Sequence, residues 1–375
     1  MNFDVTDFEP MRPFRDDEIP AVMRRICNDA HFPLIAKWVY PEKNAEEVKD
    51  ILYEFTDIRD FQVETMRRVN ERILNTTTDG LTCDGFDNLD KDKRYLFISN
   101  HRDIMLDACF LQYLLWQNGH ETSEITFGSN LMGLQIVDDI GRANKMFKVE
   151  RAGSMREFYK SSLLLSKYIR HTICEKKQSI WIAQRNGRTK DGIDRTEPGL
   201  IKMLMLSGEK GKFKQSLLDL DIIPMSVSYE WEPCDFLKAK ELYGSKDKKY
   251  IKKPGEDLNS ILTGILQPKG RVHIHLGKPL GIEDLASIKD DDQPALIQTT
   301  SRILDERIRR GYKLWPNNHA AYDILHEKTG MSAHYTMEEM SKLSAHIADA
   351  TSQIPDPARQ EIRNIMLRIY AGPLN

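Results

Sequence analysis

The sequence predicts an α/β protein with a mixed, mostly parallel sheet and crossover helices, plus helical segments at both ends. Three observations carry this. Short β-rich runs alternate with longer helical stretches through the middle of the chain, a helical stripe precedes them, and the chain turns helical again after Gly311. With 375 residues and 40% hydrophobic content, two or three domains fit at roughly 150 residues each. Disordered and collagen-like chains are excluded by the same composition.

The elements follow in order. Val48, Ile51, Leu52, Phe55, Ile58 and Phe61 share one helical stripe within 44–74. Residues 1–90 therefore read as an N-terminal helical segment, closed by two glycine-containing turns, TDG and CDG, at 79–85. The α/β domain spans 91–315, with strand candidates YLFIS (95–99), EITFGS (124–129), MFKV (146–149), SIWIAQ (179–184), IIPMSVSYEW (222–231) and RVHIHLG (271–277). Residues 316–375 form a C-terminal helical cap, in which 336–350 and 356–370 are helices on either side of a proline-bearing turn.

Charge and leader composition narrow the partners. A formal net charge of -3, from 54 basic and 57 acidic residues, argues against a nucleic-acid binder. The first residues are acidic and polar, unlike a signal peptide, and no run of apolar residues is long enough to span a bilayer. Cys27, Cys83, Cys109, Cys174 and Cys234 are scattered and odd in number, which fits reduced thiols. These features predict a cytoplasmic protein that meets a membrane, if at all, from the surface.

Ligands of such sheets gather beyond the carboxyl ends of the strands, which directs attention to NHRD, ERAG and RNGRTKDG after 95–99, 146–149 and 179–184. His101 leaves an apolar strand with Asp103 and Asp107 close behind. A histidine can take a hydroxyl proton near neutral pH while a carboxylate orients its other ring nitrogen. The alternative is a histidine capping the next helix, with Asp103 an ordinary first-turn acid. A kinase catalytic loop is excluded, because Ala108 stands where the magnesium-binding Asn belongs and no glycine-rich loop occurs.

Lys148 and Arg151 end the next strand, and Arg151 offers a planar fork suited to a phosphate. Arg185, Arg188, Lys190 and Arg195 crowd the third segment around Gly187 and Gly192, a phosphate-binding composition that is not a Walker loop. His273 and His275 share a strand face, but no third metal ligand is evident and no metal is expected. LIKMLML (200–206) reads either as the lining of an acyl tunnel or as core. The run 238–253 holds seven lysines against Glu241 and Asp247, which allows peripheral contact with an anionic membrane surface, docking of an acidic carrier protein, or a plain solvated loop.

Taken together and in order, NH...D (100–107), FKVER (147–151), QRNGRTK (184–190) and IIPMSV (222–227) resemble the four sequence blocks of the glycerolipid acyltransferase family. That family includes bacterial 1-acyl-glycerol-3-phosphate and glycerol-3-phosphate acyltransferases. The resemblance covers about 100–280, where RVHIHLGKPL is similar to the family's closing strand. It implies transfer of an acyl group from acyl-CoA or acyl carrier protein to a hydroxyl of a lysophospholipid or glycerol-phosphate acceptor, without metal or cofactor. His101 would be the general base and Asp107, or else Asp103, its orienting partner. Arg151, Gly187 and Arg188 correspond to acceptor-phosphate and loop-shaping positions and Pro224 to the fourth block, while Asn100, Arg102, Lys148, Arg185, Asn186 and Lys190 complete the candidate substrate-binding set. Five residues separate His101 from Asp107 where the family has four, and Asn186 replaces the Glu usual before the third-block glycine. Two other readings use the same scaffold, a non-catalytic lipid- or phosphate-binding protein and a thioester hydrolase.

Overall fold

The computed structural model describes residues 4–131, 133–150, 153–246 and 250–375. Seven strands form one sheet: β1 (Thr78–Asp84), β2 (Leu96–Ser99), β3 (Glu124–Gly128), β4 (Met146–Val149), β5 (Ile180–Ala183), β6 (Ile222–Tyr229) and β7 (Gly270–Leu276). Their order is β1-β7-β6-β2-β5-β3-β4. Every neighbouring pair is parallel except β6 and β7, which gives the mixed, mostly parallel sheet expected.

The six strand candidates became strands because both faces of the sheet are covered, so a central strand is apolar on each side. Alternate residues divide between two cores. Leu96, Ile98, Ile180, Ile182 and Ile222 pack with Leu165, Ile169 and Leu204 from helices Met155–Arg170 and Pro198–Met205. Phe97, Trp181, Ile223 and Val227 face the other way, against Phe110, Leu111 and Leu114 of helix Leu106–Gln117. A third core holds the N-terminal helices and a fourth the C-terminal ones. LIKMLML falls into the first core, where Ile201, Leu204 and Met205 are buried against the sheet.

Two expectations for the N-terminal segment need correction. Residues 78–84, expected as turns, are the edge strand β1, paired with β7. Its glycine and polar residues suit an edge, where only one side is hydrogen-bonded and little is buried. The stripe of 44–74 is also not one helix. Helix Ala45–Tyr53 stops, Asp57 caps a new start by accepting the Asp60 N–H at 2.8 Å, and the chain then passes through a wide turn, Phe61–Met66, into Arg67–Thr77. Among the described residues no helix is long and apolar enough to cross a membrane.

The C-terminal helices are fastened to the site end of the sheet. Asn317 donates to the Glu230 carbonyl just beyond β6, and His346 and Tyr370 both meet the Asp235 carboxylate, at 2.7 and 2.8 Å. Gly192, in the basic loop after β5, has φ +77°, and a Cβ there would come 2.2 Å from the Ile369 carbonyl oxygen in helix Ala358–Ala371. Only glycine suits both the left-handed backbone and that close approach. Gly192→Ala is therefore expected to lower the unfolding free energy by about 2–5 kcal/mol, read by chemical denaturation. An unchanged midpoint would show that the cap does not press on this loop.

Candidate active site

β2 ends at Ser99, and the chain crosses its carboxyl end through Asn100 and His101 before helix Leu106–Gln117 begins. Asp103 starts that helix, its Oδ1 accepting the N–H groups of Met105 and Leu106, both at 2.9 Å. Asp107 sits in the first helical turn with no solvent exposure. Its Oδ2 accepts the His101 Nδ1–H at 2.9 Å and the N–H groups of Arg102 and Asp103 at 2.6 and 3.0 Å. Its Oδ1 accepts the Tyr229 hydroxyl at 2.8 Å. The five-residue spacing is absorbed by a turn that wraps two backbone donors around the carboxylate, so Asp107 rather than Asp103 meets the imidazole.

This bond pattern sets the tautomer of His101. With the Nδ1 proton on the carboxylate side, Nε2 carries the free lone pair. The ring is 13% exposed, stands edge-on to Trp181 at 5.7 Å between centroids, and lines an open cavity of about 90 Å³. Gly187, Arg188 and Lys190 line the same cavity. The loop that carries them is tied to the His101 segment by two backbone bonds of 2.7 Å, Gln184 N–H to the Ser99 carbonyl and Thr189 N–H to the His101 carbonyl.

The cations of the candidate set have separate fates. Arg188 is 8% exposed, and its Nη1 has no hydrogen-bond partner among the described residues. A buried, unpartnered guanidinium nitrogen beside a cavity is a group suited to an anion. Lys190 also reaches the cavity, but its ammonium pairs with Glu241. Gly187, with φ +76°, lets the backbone turn at the cavity wall.

Arg102 does not line the cavity, which corrects its place in the binding set. It is fully buried, donating to Asp194 at 2.6 Å, the Gly192 carbonyl at 3.1 Å and Glu232 at 3.3 Å, over the ring of Tyr312. Burial alone would lower its pKa, but Asp194, Tyr312 and Glu232 outweigh it and hold the guanidinium well above its ordinary value. Lys238 closes the network from the other side, donating to Glu232 at 2.6 Å and the Arg102 carbonyl at 2.7 Å. Removing one partner would leave a buried charge uncompensated, at a cost of about 3–5 kcal/mol.

Other members of the set also lie away from the cavity. Asn100 is buried and clamps β6, exchanging bonds with Val227 at 3.0 and 2.8 Å and donating to Asp194 at 3.0 Å. Lys148 points to the far edge of the sheet, where Asp138 holds it at 2.7 Å, with β3 and β5 between β4 and β2. Pro224 is inside β6, in register with Ile98. Arg185 and Asn186 lie on the basic loop but outside the cavity lining. Arg151 falls outside the described residues. His273 and His275 share a β7 face as expected, and Asp84 of β1 meets both; among the described residues no group of three or more such side chains is placed to hold a metal ion.

The sequence reading missed Tyr229, Trp181, Asp194 and Glu232. Tyr229 and Glu232 could have been found by the rule that singled out the other strand ends, since Tyr229 closes β6 and EWEPC follows it at the same end of the sheet. Burial, with Asp107 and Asp103 nearby, pushes the Tyr229 phenol well above its ordinary value, so it remains a donor.

Residues 80–228 match the family model described as Acyltransferase. Dihydroxyacetone phosphate acyltransferase from Bos taurus is 24% identical over 196 residues, and the same-named protein from Oryctolagus cuniculus is 21% identical over 196 residues. Each match takes in 51% of this chain and 27% of the relative's length. Among solved structures, the chain is similar to the 1-acyl-sn-glycerophosphate (LPA) acyltransferase from Thermotoga maritima, at 10% identity and a TM-score of 0.40, over 77% of this chain and 94% of that one.

Asp103 generates a pH test. Its Oδ2 is buried without a hydrogen-bond partner among the described residues, and burial, reinforced by Asp107, raises its pKa above 3.8. The folded state then binds this proton more readily than the unfolded chain, so stability falls as pH rises through 3.8 and levels off above the folded pKa. Asp103→Asn keeps the helix-capping oxygen and removes the charge. The variant is expected to resist denaturant better than wild type at neutral pH, with the gain vanishing below 3.8. A lower midpoint across the whole range would contradict this.

Proposed function

We propose, from the premise that residues 80–228 belong to the Acyltransferase family, that this protein is an O-acyltransferase acting on a glycerol-phosphate-type acceptor. The carrying observation is a His101 ring held by Asp107 at 2.9 Å and facing a cavity that also contains Arg188. The names of the Bos taurus and Oryctolagus cuniculus relatives place dihydroxyacetone phosphate beside glycerol 3-phosphate and lysophosphatidate among the acceptors to test. The donor is an acyl thioester of CoA or of acyl carrier protein.

In this reading the acceptor phosphate rests against Arg188, with Lys190 and the Gly187 turn beside it. Its free hydroxyl then reaches His101 Nε2. As Nε2 takes the hydroxyl proton, the oxygen attacks the thioester carbonyl carbon and a C–O bond forms. The C–S bond breaks, and the imidazolium returns its proton to the departing thiolate. Asp107 stays ionised, holding the ring in place and stabilising its transient charge. The products are an ester and a free thiol, and neither a metal nor an enzyme-bound acyl group takes part.

Thiol release from acyl-CoA, with and without each acceptor, tests the proposal. Wild type is expected to release thiol only when acceptor is present, and His101→Ala to lower the rate by about 10²–10⁴-fold while the protein stays folded by circular dichroism. Near-wild-type turnover by that variant would remove His101 from the mechanism. Release independent of acceptor would identify a thioester hydrolase. Silence with both donors would identify a binding protein on the same scaffold.

A further inference from the structure

Helix Glu256–Leu266 leads into β7 at the cavity end of the sheet and carries a row of leucines on its outer face. Ser260 and Gly264 face inward beside half-buried Ile265, and a Cβ on Gly264 would come 2.1 Å from Asp103 Oδ2. The leucines face out. Leu258, Leu262 and Leu266 are 42%, 49% and 59% exposed, and Ile251, just before the helix, is 83% exposed.

Residues four apart share one helical face, so the three leucines form a stripe rather than scattered apolar residues. Isolated exposed leucines are ordinary, whereas a stripe on one helix marks a contact surface. Exposed Lys252 and Lys253 adjoin it. They end the lysine-rich run of 238–253, in which Lys238 is withdrawn into the buried network and residues 247–249 lie outside the described ones. Lys252 and its partner Asp257, 2.5 Å apart, both line the cavity that His101 faces. The stripe is therefore continuous with the rim of the candidate site.

We propose that Ile251, Leu258, Leu262 and Leu266 insert into the headgroup and acyl boundary of an anionic lipid surface, setting the mouth of the His101 cavity against the bilayer. An apolar helix face beside exposed basic residues is the chemistry of interfacial anchoring; the leucines supply the burial, while Lys253 meets anionic headgroups and Lys252 is shared with Asp257. The choice of lipid over a protein partner rests on the acyl-transfer reading, since a site for acyl chains beside a membrane meets them where they are dissolved. A second apolar group, Met155, Phe158 and Tyr159, is 91%, 57% and 57% exposed where helix Met155–Arg170 begins after β4.

Sedimentation with vesicles tests this, comparing phosphatidylcholine alone with equal parts phosphatidylcholine and phosphatidylglycerol. Wild type is expected to bind the mixed vesicles, and the triple variant Leu258→Gln, Leu262→Gln, Leu266→Gln to bind at least about tenfold more weakly. The replaced side chains are exposed, so its melting temperature and its thiol release with a short-chain thioester and glycerol 3-phosphate should match wild type. Leu262→Trp is expected to retain binding and to gain fluorescence that brominated lipid quenches. Leucine-dependent binding supports the surface whether or not transfer is seen, because sedimentation involves no chemistry; absence of transfer counts only against the catalytic reading. Equal binding by the triple variant, no binding by wild type, or added fluorescence in Leu262→Trp that brominated lipid leaves unquenched would overturn the proposal. So would a wild-type dimer that the triple variant dissolves, or leucine-dependent capture of acyl carrier protein without vesicle binding.

Discussion

Three parts of the chain meet on the Asp107 carboxylate. It receives the imidazole of His101 from the end of β2, two backbone donors from the turn that follows, and the hydroxyl of Tyr229 from the end of β6. A fully buried carboxylate needs such a complement of donors, because each missing one leaves charge in a low-dielectric interior. Strand, turn and helix start are therefore not independently adjustable around His101.

Behind this carboxylate lies a second buried network, in which Arg102 and Lys238 are balanced by Asp194 and Glu232. It joins the His101 turn to the basic loop after β5 and to the segment after β6. A cation inside the fold thereby neutralises the loop's acidic Asp194. Arg188, with a nitrogen that has no hydrogen-bond partner among the described residues, lines the cavity from that loop. The C-terminal helices brace the arrangement through Asp235 and through the close approach of Ile369 to Gly192.

Much of the architecture was legible in the sequence for a physical reason. Strands covered on both faces are largely apolar, so β2, β5 and β6 stood out, and β3, β4 and β7 were marked by their β-branched and aromatic residues. β1 did not, because TDGLTCD is an edge strand whose pairing to β7 is set by residues nearly two hundred positions away. At the site, His101 and its acid partner were legible because a histidine leaving a strand is a local signal. The division of labour between Arg102 and Arg188 was not. Both are arginines just beyond a strand, and what separates them is the position of Asp194 and Glu232 in space. Lys148 was misplaced on similar grounds, since strand order, not sequence order, puts it at the far edge beside Asp138.

Proton transfer at the site depends most directly on the state of one ring. Long-range ¹H–¹⁵N spectra of the histidines, with His101 assigned through the His101→Ala variant, report which nitrogen carries the proton. The account predicts a protonated Nδ1 and an unprotonated, pyridine-type Nε2 in the neutral ring, with that pattern lost in Asp107→Asn. A neutral His101 protonated at Nε2 would contradict it, because the nitrogen facing the cavity would then have no lone pair with which to take a proton.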